Sequence, residues 1–363
     1  MGTSQPKQSE LLAGPEYSMP SNLFEALYQT FQMATQGRGC SIDERFYTIG
    51  GHTICLRFAG SALIPSITQA LSHLTAEYSS VPSLTICLWD SDSTHTPMPP
   101  CPWSTDDFDA RGEVHSYKND RIQMAFHLGA GILSALNTES NLGLFWIRNA
   151  HQVPYYRRSA PLLTILHWWT WNQGCQIVHA AAVGTLSGGV LLAGRSYSGK
   201  STTALACLHS KLLYAGDDYV LICAQPTPFV YSLYNSVKVE PNNIQRFPHL
   251  LSRLSNADRL SKEKALLFLH DYCPEKITIG FPVRAVLLPR TTGTPETRIK
   301  RASPGASLLS LAPNTVFRLP GARQRSLQNV ANFVKQIPSY YLELGTDLDK
   351  IPNVIMSLLS ENE

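Results

Sequence analysis

The period of the apolar positions changes several times along this chain, and the changes outline its elements. Helical spacing marks 22–34, with Ser21 as the expected cap, and 64–78 through Ile64, Ile67, Leu71 and Leu74. Strand-like runs at 46–49 and 54–58 flank Gly50-Gly51, a hairpin turn, and a further strand is expected over 84–89. From 91 to 109 Ser, Thr, Asp and Pro dominate, which predicts an exposed loop. Four short strands are expected beyond it, at 114–117, 122–126, 131–134 and 142–147. Together these describe a mainly antiparallel α+β unit whose aromatic residues fill a core.

A strongly apolar helix is predicted over 160–171, where Leu162, Leu163, Ile165, Leu166, Trp168 and Trp169 crowd together. Such a helix plugs two halves of a chain into one another, which sets a domain boundary near 155. The expected division is a flexible leader over 1–20, an accessory domain over 21–155 suited to substrate recognition, and a larger domain over 156–363. Within the last, 177–183 reads as a strand, 186–189 as a turn and 190–194 as a buried strand. Residues 212–222 hold a strand ending in two carboxylates and then another strand. A hairpin is expected from 229–233 and 237–239, strands at 283–288 and 340–344, and helices over 258–270, 302–311, 323–336 and 347–359.

At 363 residues the chain is long enough for two domains or one large one, and its 44% hydrophobic content supports a real core. Thirty Lys and Arg stand against 27 Asp and Glu, a net +3 that argues against nucleic acid or an anionic membrane as partner. The most apolar window, 162–183, is interrupted by His167, Asn172, Gln173 and His179, so no membrane span is expected. The opening residues are polar, with Pro6 and Pro15, and show no secretory-signal pattern. Eight cysteines are scattered without a Cys-x-x-Cys pair. Cys55, Cys87, Cys207 and Cys223 lie in apolar runs and read as small core residues. That usage favours a reducing, cytoplasmic compartment over a disulfide framework.

The sharpest chemical signal is Gly194-Arg195-Ser196-Tyr197-Ser198-Gly199-Lys200-Ser201, set between a buried strand and a helix-forming segment. Glycines let backbone N–H groups turn onto an anion, and a helix N-terminus adds partial positive charge. Lys200 is placed to reach the outer phosphates of a nucleotide and Ser201 to ligate Mg²⁺. Gly194, Ser196, Ser198, Gly199, Lys200, Ser201 and Thr202 are thus the expected nucleotide-binding residues.

One helix and one strand later comes Gly216-Asp217-Asp218, the carboxylate such a loop needs beside it to hold the metal. Two adjacent acids can divide labour, one on the metal and one taking the proton of an attacking hydroxyl. Consecutive side chains of a regular strand point to opposite faces, so the expected convergence requires the strand to end or kink there, and Gly216 permits a kink. The assignment leans to Asp217 as base and Asp218 as metal ligand with Ser201, without deciding the order. His179 ends an apolar strand that pairs with 190–194; the register puts it either at the mouth of the loop or at the far end. Lys238, on a strand beyond the acids, is a candidate to neutralise phosphate.

This order of His179, glycine-rich loop, helix and Gly216-Asp217-Asp218 resembles the HPr kinase/phosphorylase family. Asp217-Asp218-Tyr219-Val220-Leu221 and Asn235-Ser236-Val237-Lys238 resemble its divergent bacterial branch, which includes kinases of lasso-peptide gene clusters. The resemblance implies an α/β P-loop kinase domain of the HPr kinase and phosphoenolpyruvate-carboxykinase-like type behind a smaller α+β domain. It implies ATP with Mg²⁺ and phosphoryl transfer to a serine hydroxyl of a peptide or small protein, such as a ribosomally made precursor peptide. By position, Lys200 and Ser201 would handle phosphate and metal, the acids would supply metal ligand and base, and His179 would border the transferred phosphate. Tyr197 departs from the family, whose loops usually carry a small residue there. The family's later glycine-rich stretch, associated with phosphorolysis, has no match. Two other functions stay open: a nucleotide-binding switch or scaffold without transfer, and carboxykinase-like chemistry on a small acid, which would want several arginines. A homo-oligomer also stays open.

Overall fold

The computed structural model describes residues 19–37, 41–109, 114, 118–316, 319 and 323–361. Most of the expected leader over 1–20 lies outside them, as does the expected strand at 114–117 except Val114. What is described is a mixed α/β structure built on two large sheets.

The first sheet holds β1 (Ile42–Ile49), β2 (His52–Ala59), β3 (Leu84–Asp90), β4 (Ile122–His127), β5 (Ile132–Asn137) and β6 (Leu142–Ile147), in the order β1-β2-β3-β6-β5-β4. β1 and β2 form the expected hairpin, Gly50 and Gly51 taking φ of 59° and 82° in the tight turn. The sheet is not mainly antiparallel at its centre, because β2 with β3 and β3 with β6 run parallel. Parallel neighbours need a crossover, and the chain between β2 and β3 supplies one. There the helix expected over 64–78 is only Ile64–Thr68, followed by a 3₁₀ turn over Gln69–Leu74. The first helix runs Pro20–Gln36 and starts on its proline, whose missing N–H costs nothing in a first turn; Ser21 is inside it and not its cap.

Both faces of this sheet are covered. On β3 the buried side chains alternate: Cys87 and Trp89 join Leu23, Leu27 and Phe31 of the first helix, while Ile86 and Leu88 face the other way. That second face meets helix Leu163–Asn172, every residue of which from Leu163 to Trp171 is buried. The same hydrophobic cluster includes Ile177, Leu221 and Tyr234, so one core runs straight across residue 155.

The remaining strands are β7 (Cys175–Val178), β8 (Ala180–Thr185), β9 (Gly188–Ala193), β10 (Leu213–Gly216), β11 (Val220–Cys223), β12 (Phe229–Tyr231), β13 (Ser236–Val239), β14 (Ala265–Phe268), β15 (Gly280–Thr291), β16 (Arg298–Ala302) and β17 (Ser339–Leu344). All but β13 and β14 join the second sheet, and β15 is its spine. The start of β15 pairs with β12, its middle lies parallel to β9, and its end lies parallel to β17. Helices Lys200–Ala206 and Lys350–Ser360 cover the face carrying Val190 and Leu192. Helices Pro304–Val316 and Arg323–Val334 cover the face carrying Leu191 and Ala193.

Three expectations fail here. The segments 229–233 and 237–239 are not a hairpin: β12 joins β11 and β15, and β13 pairs with β14. β14 occupies part of the helix expected over 258–270. Its side chains alternate between two cores, Leu266 and Phe268 in one, Ala265 and Leu267 in the other, which only a strand allows. Finally Cys175 and Cys223, register partners on β7 and β11, form a disulfide with Cα atoms 4.5 Å apart. Cys223 is therefore no free core thiol, and the cysteine-based argument for a reducing compartment falls; Cys55, Cys87 and Cys207 are buried free thiols as expected. Among the described residues no helix is long and apolar enough to cross a membrane.

The disulfide makes a testable contribution. The variant with both Cys175→Ala and Cys223→Ala is expected to lose about 2–4 kcal/mol of stability in denaturant titration. An unchanged unfolding midpoint, or free thiols at both positions by mass spectrometry of the native protein, would contradict the bridge.

Candidate active site

β9 is a continuous apolar strand, and the chain leaves it through the 194–199 loop into helix Lys200–Ala206. Gly199 stands at φ 106°, where L-residues are strained, and a Cβ there would collide with the Leu344 side chain. Two residues earlier Tyr197 also has positive φ, 67°, a conformation that costs a non-glycine residue about 1–2 kcal/mol. Its ring projects outward and is exposed, with the Lys264 Nζ 5.3 Å from the ring centroid. The residue that departs from the family pattern thus keeps a glycine-like backbone and places an aromatic ring on the rim. Ser198 closes against Gly194 inside the loop. Lys200 is buried and folds back over the loop, donating to the carbonyls of Gly194 (2.9 Å) and Arg195 (3.1 Å).

The hairpin of β8 and β9 pairs Ala180 with Ala193, which fixes the question of register. His179 sits in the break between β7 and β8, at the loop end of the hairpin. Its backbone N–H donates to Thr315 Oγ1, and its ring stands edge-on to Tyr219.

The acids converge on one cavity, and β10 ends at Gly216, as convergence requires. β10 bulges against β8 between Tyr214 and Gly216, and Asp218 itself takes a left-handed φ of 69°. Asp217 is fully buried; its Oδ1 accepts from Ser201 Oγ at 3.1 Å. Asp218 instead meets His179 Nε2 at 2.8 Å and Lys238 Nζ at 2.6 Å. Ser201 therefore contacts Asp217 and not Asp218, with which the sequence had grouped it as a metal ligand.

The two carboxylates are pushed apart electrostatically. Burial, and then the charge of Asp218, raises Asp217 to about 6. Burial pushes Asp218 upward too, but Lys238 and His179 outweigh it and hold that carboxyl well below the usual range. The Oδ2 of Asp217 is buried with no hydrogen-bond partner. An orphaned carboxylate oxygen beside a serine hydroxyl at a helix N-terminus fits a divalent cation that completes its shell with phosphate and water. Among the described residues no cluster of three or more His, Cys, Asp or Glu could hold a metal unaided.

A cavity of about 520 Å³ brings together His179, Ser196, Lys200, Ser201, Asp217 and Asp218, with Lys238 on its wall. Gly199 and Thr202 instead line a second cavity of about 280 Å³, which shares Lys200, Ser201 and Lys238 with the first. Gly194 and Ser198 line neither and shape the loop from within. Sequence reasoning missed Arg157 and Lys264, which also line the larger cavity. Arg157 buries its Nε without a partner, and the run Tyr155-Tyr156-Arg157-Arg158 was its only local signal. Lys264 pairs with Glu240 at 2.8 Å and lies just before β14, in a segment expected to be helix.

No protein-family model matches this chain, and no curated protein matches it. Among solved structures, the Hpr(Ser) kinase/phosphatase from Coxiella burnetii aligns with 51% of this chain and 95% of its own, at 10% identity and a TM-score of 0.29.

The burial of Asp217 has a consequence for stability without ligand. A folded value raised from 3.8 to about 6 favours the fold while the carboxyl is protonated. That contribution is complete below about pH 4 and is lost as pH rises through about 6. Asp217→Asn is therefore expected to be more stable than wild type by about 2–3 kcal/mol at pH 8 and to lose that advantage near pH 4. Thermal melts at the two pH values decide it; equal differences at both would mean the carboxylate carries no burial penalty.

Proposed function

We propose that this protein is an ATP-dependent kinase that transfers the γ-phosphoryl group to a hydroxyl. The observation that carries the proposal is the pairing of Ser201 with Asp217 beside the separate cluster of Asp218, His179 and Lys238 in one cavity. One half suits metal and phosphate, the other suits an acceptor. The acceptor class, a serine of a peptide or small protein, comes from the sequence resemblance.

In this mechanism the loop N–H groups and the N-terminus of helix Lys200–Ala206 receive the phosphates. Lys200 exchanges the Gly194 and Arg195 carbonyls for outer phosphate oxygens. Ser201 and Asp217 would hold Mg²⁺, whose charge neutralises that developing on the outer phosphates. Asp218 accepts the hydrogen bond of the acceptor hydroxyl and takes its proton as the new O–P bond forms and ADP departs. A carboxylate of low proton affinity serves here because proton transfer is late in a loose transition state and orientation matters most. His179 and Lys238 fix that carboxylate from two sides. This order of the acids reverses the one leaned to from the sequence, the contact between Ser201 and Asp217 being the reason.

Carboxykinase-like chemistry on a small acid is not favoured, since Arg157 is the one arginine among the described residues of the larger cavity. Purified protein, Mg²⁺, γ-labelled ATP and candidate peptides provide the test. Lys200→Ala is expected to abolish peptide labelling. Asp217→Asn is expected to weaken Mg²⁺-dependent ATP binding together with turnover. Asp218→Asn is expected to spare nucleotide affinity and cut the rate roughly a hundredfold or more. ATP binding with no labelled peptide would leave a nucleotide switch instead, and loss of Mg²⁺·ATP affinity in Asp218→Asn would restore the original order of the acids.

A further inference from the structure

The two cavities meet across the 194–199 loop, and their linings have a direction. Tyr197, Lys200, Ser201, Lys238 and Lys264 border both. Beyond these, His179, Asp217 and Asp218 face only the larger, while Gly199 and Thr202 face only the smaller. A polyphosphate lying with its outer phosphates at Lys200 and Ser201 has its reacting end at the acids. Its other end then leads past Thr202, and the smaller cavity is where that end arrives.

Sheet topology points to the same place. β15 and β17 run parallel, and their carboxyl ends at Thr291 and Leu344 form part of the smaller cavity. Open α/β sheets bind ligands outside the carboxyl ends of their parallel strands. The lining also suits a flat heterocycle. Val239, Leu344, Leu348 and Ile351 are apolar, and Asn243 offers an amide able both to donate and to accept. Arg246 is held at the edge by the Thr346 carbonyl at 3.1 Å.

Resting on the kinase proposal above, we infer that the smaller cavity seats the nucleoside. The base packs against Leu344, Leu348 and Val239, and Asn243 reads its polar edge. The larger cavity is thereby left to the acceptor. Tyr197 and Lys264, in contact on the shared rim, separate the two ligands.

Calorimetric titration of the full chain with Mg²⁺·ATP, Mg²⁺·CTP and Mg²⁺·tripolyphosphate tests this. The wild type is expected to bind ATP at least tenfold more tightly than tripolyphosphate. Leu348→Trp, which fills the cavity from its half-buried wall, is expected to weaken ATP tenfold or more and change tripolyphosphate by less than twofold. Asn243→Ala, a milder change, is expected to narrow the preference for ATP over CTP, and melting curves of both variants verify folding. Equal effects on ATP and tripolyphosphate, or no effect on either, overturn the seat. A wild type that binds tripolyphosphate as well as ATP overturns the seat while leaving the phosphate site standing. A wild type that binds neither overturns both.

Discussion

Two neighbouring carboxylates on a regular strand point to opposite faces, and everything at this site depends on how that rule is broken. The bulge in β10 and the left-handed backbone at Asp218 turn both acids toward one cavity. A non-glycine residue held there costs about 1–2 kcal/mol, and burying a second charge beside the first costs more. The cost is offset unequally. Asp218 has Lys238 and His179 as partners, each on a different strand or strand break, whereas Asp217 has one hydroxyl and an oxygen with no partner. The unbalanced half is the half that a cation would complete. A site optimised for stability alone would not leave a fully buried carboxylate in that state.

How much of this was legible depended on the distance over which each feature is encoded. The strand, loop and helix around Gly194 to Ser201 were readable because their backbone requirements are met by contiguous residues. The hairpin at Gly50-Gly51 was readable for the same reason. The pairing of β13 with β14 was not, since Leu266, Leu267, Phe268 and Leu269 form an unbroken apolar run that fits helix and strand equally. Nor was the disulfide, whose cysteines lie 48 residues apart and meet only because β7 pairs with β11. His179 illustrates the middle case. Its hairpin was visible, yet a shift of register would have moved it to the far end, and only the pairing of Ala180 with Ala193 places it at the loop. Which of the two acids meets Ser201 depended on the backbone turn at Asp218, which no pattern of residue types reports.

The first unit was expected to be an accessory domain whose role followed from its position alone. The contacts give it a role in the construction of the site. Strand β13, which carries Lys238, is tied at its start to elements upstream of it. Tyr234 donates its hydroxyl to the Pro161 carbonyl, Ser236 donates to the Ser159 carbonyl, and Asn235 bonds the carbonyls of Ala70 and Gln69 through its backbone and side chain. His73 Nε2 meets the Ser232 hydroxyl, and Ser72 meets His270 beyond β14. The bonds of Tyr234 and Ser236 are buried, and those that reach Gln69, Ser72 and His73 are half-buried. The hydrophobic cluster beneath them is continuous, from Ile67 and Leu71 through Trp168 and Trp169 to Leu266 and Phe268. The position of the Lys238 ammonium at Asp218 is thus set by packing that begins in the first sheet. Tyr155, Tyr156 and Arg157, from the connection between the sheets, complete the wall of the cavity that Asp218 faces. The first unit is part of the scaffold that holds the Asp218 side of the cavity.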